Sequence, residues 1–316
     1  MKGGNHLRTD PAEAQRAAPG PLFIVGAPRS GTSLVYKAIS LHPAAAYISN
    51  WVRRYPEVPQ LAALNRVSRL FPRLQRALWF GKDSNAYVYG SHRSWIARAL
   101  PMPVEGEPLY ASCGLSEDPR RPTAVPEPAQ QAALRASFAA IRRYGNGQRV
   151  VSKRIANNHR IPLLHGAFPE SRFVEVVRDG RAVAYSLSRV DWWPDSVVWW
   201  YGETPRQWEE NGGDPWELCA RSWVEEVRAI ERGLSTVPPS SVLTVSYERL
   251  VREFGCVLRE LALFASLPED ARWSNVVGQL QTFGASEVWR ARLAPKDIAT
   301  IERVQEPTLR RRGYVV

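Results

Sequence analysis

The chain has 316 residues, 44% of them apolar and 23% charged, with a net charge of +11; this suits an ordinary soluble protein of one large α/β domain or two small ones. No apolar run approaches the roughly 20 residues of a membrane-spanning helix, which excludes stable membrane insertion. Its cysteines, Cys113, Cys219 and Cys256, are odd in number and widely spaced, which argues against a disulfide framework or a Cys-based metal site and places the chain in a reducing cytoplasm.

Residues 1–20 hold one large apolar residue, Leu7, and lack the apolar core of a secretory signal; they read as a disordered lead-in. Residues 21–316 read as a single domain. "LFIVG" (Leu22 to Gly26) predicts a strand, followed by a helix over about Thr32 to Leu41. After an irregular stretch the pattern returns. "RVVSK" (Arg149 to Lys153) precedes a helix around Ile161 to Phe168, and "RFVEVVR" (Arg172 to Arg178) precedes one over about Ala182 to Arg189. "SVLTVS" (Ser241 to Ser246) precedes two helical patterns ending near Phe264. Short β-rich runs alternating with helices predict an α/β fold, with a central parallel β-sheet flanked by helices. Residues 50–127, rich in Pro, Arg and aromatics, and residues 191–215, "DWWPDSVVWWYGETPRQWEENGGDP", break the rhythm. Both read as insertions at the open end of the sheet, where α/β proteins build sites.

The basic excess asks for an anionic partner. Beyond Arg310 to Arg312 there is no dense basic tract, and no helix-turn-helix or zinc-finger spacing accompanies the charge. A basic pocket for a small polyanion therefore stands against nucleic acid, and an Arg-rich composition accounts for part of the excess by itself.

The first chemical motif is "GAPRSGTS", Gly26 to Ser33. It has the spacing of a phosphate-cradling loop, but Thr32 stands where the lysine that clamps the β- and γ-phosphates of ATP or GTP belongs. Gly26 and Gly31 permit a tight strand-to-helix turn, and amides around Ser30 to Ser33 at a helix N-terminus face an anion. Arg29 adds a forked cation suited to oxyanions, and Thr32 and Ser33 add hydroxyls. The competing reading is an ordinary βα turn with an exposed Arg. The second motif is "VVRDGRAVAYS", in which Arg178 ends a strand and Ser186 lies on the following helix. Together they can grip a second phosphate, or Arg178 can pair with Asp179 and leave Ser186 on a helix surface.

In that order, the two motifs resemble the sulfotransferases that use 3′-phosphoadenosine 5′-phosphosulfate (PAPS), a family with a P-loop-like fold. "LHP" after the loop helix, "FPESRFVEV" and "VSYERLV" add to the match. The resemblance covers 21–44 and 149–268, is faint in 50–127, and is closer to bacterial and tyrosylprotein-type members than to the cytosolic phenol and steroid enzymes. It implies PAPS as co-substrate, with Arg29, Ser30, Gly31, Thr32 and Ser33 on the 5′-phosphosulfate and Arg178 and Ser186 on the 3′-phosphate. Tyr247, of "VSYERLV", joins them in the donor site. A donor with a single 5′-phosphate carrying sulfate explains the missing lysine. No apolar run ends in a Walker-B-type Asp, so no metal is expected.

The resemblance also implies that Lys153, at its strand end, meets the bridging or sulfuryl oxygen. The base is harder to read. The position of the cytosolic enzymes' histidine is Ile155, and that of the tyrosylprotein-type Glu is held by Ser49 and Asn50. Glu105 and Glu107 in "PVEGEP" are favoured, since paired carboxylates in an Arg-rich loop can push one pKa upward; His159 and Glu57 are the other sources. His42 in "LHP" reads as structural. Trp216 and Trp223 lie on a helical pattern and read as core, whereas Trp192, Trp193, Trp199 and Trp200 form either an acceptor wall or a packed lid. Trp51 is a candidate face for adenine. The rival functions are a kinase with a divergent loop and a non-catalytic nucleotide-binding module. The acceptor, a saccharide, lipid or small aromatic molecule, is not specified by any motif.

Overall fold

The computed structural model describes residues 19–80, 99–115, 127–280 and 287–315; the lead-in read over residues 1–20 lies outside them up to residue 18. The strands are β1 (Leu22–Val25), β2 (Ala45–Tyr47), β3 (Arg149–Lys153), β4 (Arg172–Val177) and β5 (Val242–Ser246). They form one sheet of order β2-β3-β1-β4-β5, parallel throughout. The helices that matter below are α1 (Thr32–Ser40), α2 (Glu107–Ser112), α3 (Pro128–Tyr144), α4 (Ile161–Ala167), α5 (Gly180–Leu187), α6 (Pro215–Leu234), α7 (Tyr247–Arg252), α8 (Phe254–Phe264) and α9 (Pro295–Arg311).

Side chains alternate across each strand, so each face of the sheet builds its own core. Leu22, Ile24, Val151, Val174 and Val176 pack against Val35 and Ile39 of α1 and Leu258 and Leu261 of α8. Phe23, Val25, Val150 and Phe173 pack against Phe138 and Ile141 of α3 and Leu163 and Leu164 of α4. A strand covered on both faces reads as a continuous apolar run, which is why β1 and β4 stand out in the sequence. β2 does not, because "AAY" is short and alanine-rich.

The segment 50–127 contributes to both cores. Trp79 and Phe80 enter the first, and Leu109 and Tyr110 of α2 enter the second. Residues 191–215 form a short turn, Trp193–Asp195, and a helix, Pro205–Glu210, opened by a Thr204/Gln207 capping box. Among the described residues no helix is long and apolar enough to cross a membrane.

From central β1 the chain runs through β2 to β3 on one side, then crosses to β4 and β5 on the other. The carboxyl ends of β3, β1 and β4 therefore flank the point where the order reverses, the place where open α/β sheets bind ligands. The glycine loop, Lys153 and Arg178 all lie at those ends.

Candidate active site

The loop after β1 has an unusual backbone. Gly26, Arg29 and Gly31 have φ of 153°, 69° and 91°. Positive φ is open to glycine, but a side chain at Arg29 makes that position costly, by about 1–3 kcal/mol. A Cβ on Gly26 would lie 2.5 Å from the Val176 carbonyl oxygen, and one on Gly31 2.5 Å from the Tyr247 ring. The second glycine thus serves close approach to α7 as well as the turn. α1 begins at Thr32, and the Leu34 amide donates to the Gly31 carbonyl at 3.0 Å, so the first-turn amides stand at the loop. Ser30 and Thr32 are buried, at 1% and 3% exposure.

The structure gathers the other residues expected at the donor site beside this loop. Arg29 Nε donates to Ser186 Oγ at 2.9 Å, and Arg178 Nη1 donates to the Arg29 carbonyl at 2.8 Å. The Arg178 guanidinium lies 4.2 Å from the Tyr247 ring centroid. Asp179 N-caps α5 and pairs with Arg181 at 2.9 Å. The C-terminal arginines are in ion pairs: Arg310 with Glu306, Arg311 with Glu231, and Arg312 with Glu175 at 2.6 Å. Tyr314 donates to Glu248 at 3.0 Å; burial, reinforced by that carboxylate, raises its phenol well above the ordinary value.

Lys153 occupies the carboxyl end of β3 with its side chain 5% exposed, in an ion pair with Glu105. Arg154 bridges Glu105 at 2.8 Å and Glu107 at 3.0 Å, and Arg160 closes on Glu107 at 2.6 Å. This corrects the expectation that the carboxylate pair drives a pKa upward. Burial alone would raise Glu105, but Lys153 and Arg154 outweigh it and hold the carboxyl at about 2, far too acidic for a base at neutral pH. The sequence could not show that cations some fifty residues away come alongside. Glu107 is not a wall of the main cavity, and Glu57 is exposed and also outside it. His42 is structural as read: its Nδ1 accepts from the Ala44 amide at 3.0 Å and its Nε2 lies 2.9 Å from the Pro268 carbonyl.

One cavity of about 550 Å³ joins these parts. Arg29, Gly31, Thr32 and Ser33 form one wall, Glu105 and Lys153 another, and His159 and Glu226 a third. Trp192, Trp193, Trp199 and Trp200 close it. Arg178, Ser186 and Tyr247 stand behind the loop rather than in this cavity. The tryptophans form part of the cavity wall. Trp199 Nε1 donates to Glu226 at 2.9 Å and Trp200 Nε1 lies 3.3 Å from Ser222 Oγ, pinning both rings to α6. Trp223 is core at 1% exposure, and Trp216 packs against a smaller cluster. Trp51 donates to the Ala99 carbonyl at 2.8 Å, away from the cavity. Among the described residues no group of three or more His, Cys, Asp or Glu could hold a metal ion.

Glu226 and Asn158 escaped sequence reading. A signal for Glu226 existed: Trp223, Val227 and Ile230 form the buried stripe of α6, and Glu226, three residues after Trp223, falls on it. A carboxylate on an apolar stripe has a partner to find.

The sulfotransferase family model matches residues 21–271. Among solved structures, the sulfotransferase STF9 from Mycobacterium avium aligns with a TM-score of 0.59 and 16% identity, over 96% of this chain and 80% of that one. STF1 from Mycobacterium tuberculosis H37Rv gives 0.55 and 15%, over 94% and 78%. The sulfotransferase domain from the curacin biosynthetic pathway gives 0.52 and 15%, over 94% and 99%. At these identities the structures attest the fold; no curated protein matches significantly. The family model spans most of the chain and includes the loop, Lys153, Arg178, Ser186 and Tyr247: the protein belongs to the sulfotransferase family.

Proposed function

We propose that the protein transfers a sulfuryl group from PAPS to a hydroxyl of a saccharide, lipid or small aromatic acceptor, in line and without a metal ion. The observation that carries this reading is the joining of a lysine-less phosphate loop, Arg29 and Lys153 in one cavity, with Arg178 and Ser186 hydrogen-bonded to that loop. Lys153 in the cavity and Arg178 on the loop backbone suit a nucleotide with two separated phosphates better than a triphosphate, whose β,γ-pair needs a lysine at Thr32. The residues suit the donor chemically: first-turn amides, Ser33 and Arg29 for the phosphosulfate, and Arg178 with Ser186 for the 3′-phosphate.

The donor supplies an activated sulfuryl group. As its bond to the 5′-phosphate lengthens, negative charge grows on the bridging oxygen. Lys153 and Arg29 line the cavity where that charge develops, and each donor brought onto it is worth on the order of 2–4 kcal/mol. Glu105 holds the Lys153 ammonium at the wall. The four tryptophan rings offer the acceptor flat apolar faces. Cys113, Cys219 and Cys256 are all free thiols, which supports a cytoplasmic setting, and we expect no nucleic-acid partner.

Thermal-shift titration with 3′-phosphoadenosine 5′-phosphate, ATP and GTP, with and without magnesium, tests the donor. Stabilisation by the bisphosphate, lost in Arg178→Ala and Ser186→Ala, is expected; stabilisation by magnesium-ATP alone overturns the reading. With labelled PAPS, Lys153→Met should lose about 10²–10³-fold in kcat while still binding the bisphosphate.

A further inference from the structure

We propose that His159, oriented by Glu226, takes the proton from the acceptor hydroxyl. The inference rests on the sulfotransferase reading and deepens it by assigning the base. His159 ends the 3₁₀ turn Ile155–His159 that follows β3 and lines the same cavity as Lys153. Its side chain is 10% exposed, and its Nε2 lies 3.4 Å from Glu226 Oε1. Nδ1 has no protein partner and is not sealed from solvent, so one ring nitrogen faces the carboxylate and the other is open for a proton.

Glu226 is the unusual member. It is 5% exposed on the buried stripe of α6, yet its hydrogen-bond donors are neutral: Asn158 Nδ2 at 2.7 Å and Trp199 Nε1 at 2.9 Å. Among the described residues its one ion-pair partner is His159. Glu105, the other carboxylate of the cavity, is by contrast committed to Lys153 and Arg154. The charged groups sharing the cavity with the imidazole are Arg29, Lys153, Arg154, Glu105 and Glu226. Of these, Glu226 alone is both an anion and not spoken for by a cation. A proton arriving on Nδ1 therefore creates an imidazolium beside a carboxylate already positioned for it, the geometry that makes a His–carboxylate pair a base.

The pair is also in register with the donor site. Asn158 Nδ2 donates to the Gly26 carbonyl at 3.1 Å, and its Oδ1 accepts from the Gly26 amide at 3.1 Å. The residue that holds Glu226 thus holds the first glycine of the phosphate loop. On the other side the His159 ring meets Trp199 edge-on at 4.5 Å between centroids. In the step proposed, the acceptor oxygen bonds to sulfur as the bond from sulfur to the 5′-phosphate oxygen breaks, and the electron pair leaves with that phosphate, facing Lys153. The acceptor's proton passes to His159 Nδ1.

The test uses the full chain with labelled PAPS and two acceptors, phenol and 4-nitrophenol. His159→Gln should keep bisphosphate binding and thermal unfolding near wild type while kcat for phenol falls about 10²–10³-fold. The loss should be smaller for 4-nitrophenol, which ionises without help. Wild-type kcat should rise with pH as the imidazole becomes neutral, and this limb should vanish in His159→Gln. Glu226→Gln should lower kcat for phenol more than for 4-nitrophenol with bisphosphate binding kept, and Glu226→Asp should restore part of that loss. Retention of near-wild-type phenol kcat in His159→Gln, an unchanged pH profile, or equal losses for the two acceptors overturns the assignment with the sulfotransferase reading intact. A wild-type protein that neither binds the bisphosphate nor transfers sulfuryl to either phenol overturns both.

Discussion

Replacing Gly31 by alanine isolates what the second loop glycine does. At φ 91° any L-residue costs about 1–2 kcal/mol of backbone strain. The new methyl would also sit 2.5 Å from Cδ2 and 2.8 Å from Cε2 of Tyr247, and such overpacking costs typically 1–3 kcal/mol. The sum, about 2–5 kcal/mol, corresponds to a fall in Tm of roughly 3–8 °C for a domain of this size. Gly212 is the control: its φ is 80°, and nothing lies within 4 Å of a Cβ placed there, so Gly212→Ala should show the strain alone. Relief of the clash moves the Tyr247 ring from its place 4.2 Å from the Arg178 guanidinium. A lost cation–π contact then weakens 3′-phosphoadenosine 5′-phosphate binding about 3- to 10-fold. Differential scanning calorimetry and titration calorimetry read the two effects. Equal Tm losses for the two variants, with bisphosphate affinity unchanged in Gly31→Ala, would refute the argument that this glycine exists for close approach to Tyr247.

Two further outcomes follow from the ion pairs. Glu105 is held at about 2 against an ordinary value of 4.5, so its charged form is favoured by folding; the stabilisation, on the order of 3 kcal/mol, is whole above pH 4.5 and drains away as pH falls towards 2. Urea unfolding of wild type and Glu105→Gln should diverge at pH 6 and converge towards pH 3, and a gap independent of pH would contradict this. Arg312→Leu strands Glu175, 3% exposed, with only the Thr244 hydroxyl at 3.0 Å among the described residues, at a cost of about 3–5 kcal/mol. Adding Glu175→Gln should recover much of the lost Tm; a double variant no more stable than the single one shows that the pair is not the cause.

The parts of the fold legible in sequence are those governed by local pattern. β1, β3 and β4 are apolar runs bounded by a loop or a polar residue, and the loop after β1 announces itself by two glycines at fixed spacing. The glycine loop, Lys153, Arg178 and Tyr247 could be read as neighbours because each sits just beyond a legible strand. The surroundings of the candidate bases could not, because they depend on neighbours distant in the chain. Glu105 and Glu107 look like a free carboxylate pair until Lys153, Arg154 and Arg160 come beside them. Glu226 looks like one more surface charge in "WVEEVRAIERG" until α6 turns it inward. The short β2 was invisible because its pairing with β3, rather than any propensity of "AAY", makes it a strand.

The ion pair between Arg312 and Glu175 also bears on the order in which the protein is made. Glu175 lies in β4, next to the central strand, and its cation follows 137 residues later, beyond the residues 21–271 that match the family. During synthesis the sheet-forming residues are all available once β5 has emerged, yet Glu175 must wait for the end of α9 before its charge is met. The end of α9 therefore carries the counter-ion of a carboxylate at the centre of the sheet, and the domain reaches its full stability only when that helix docks.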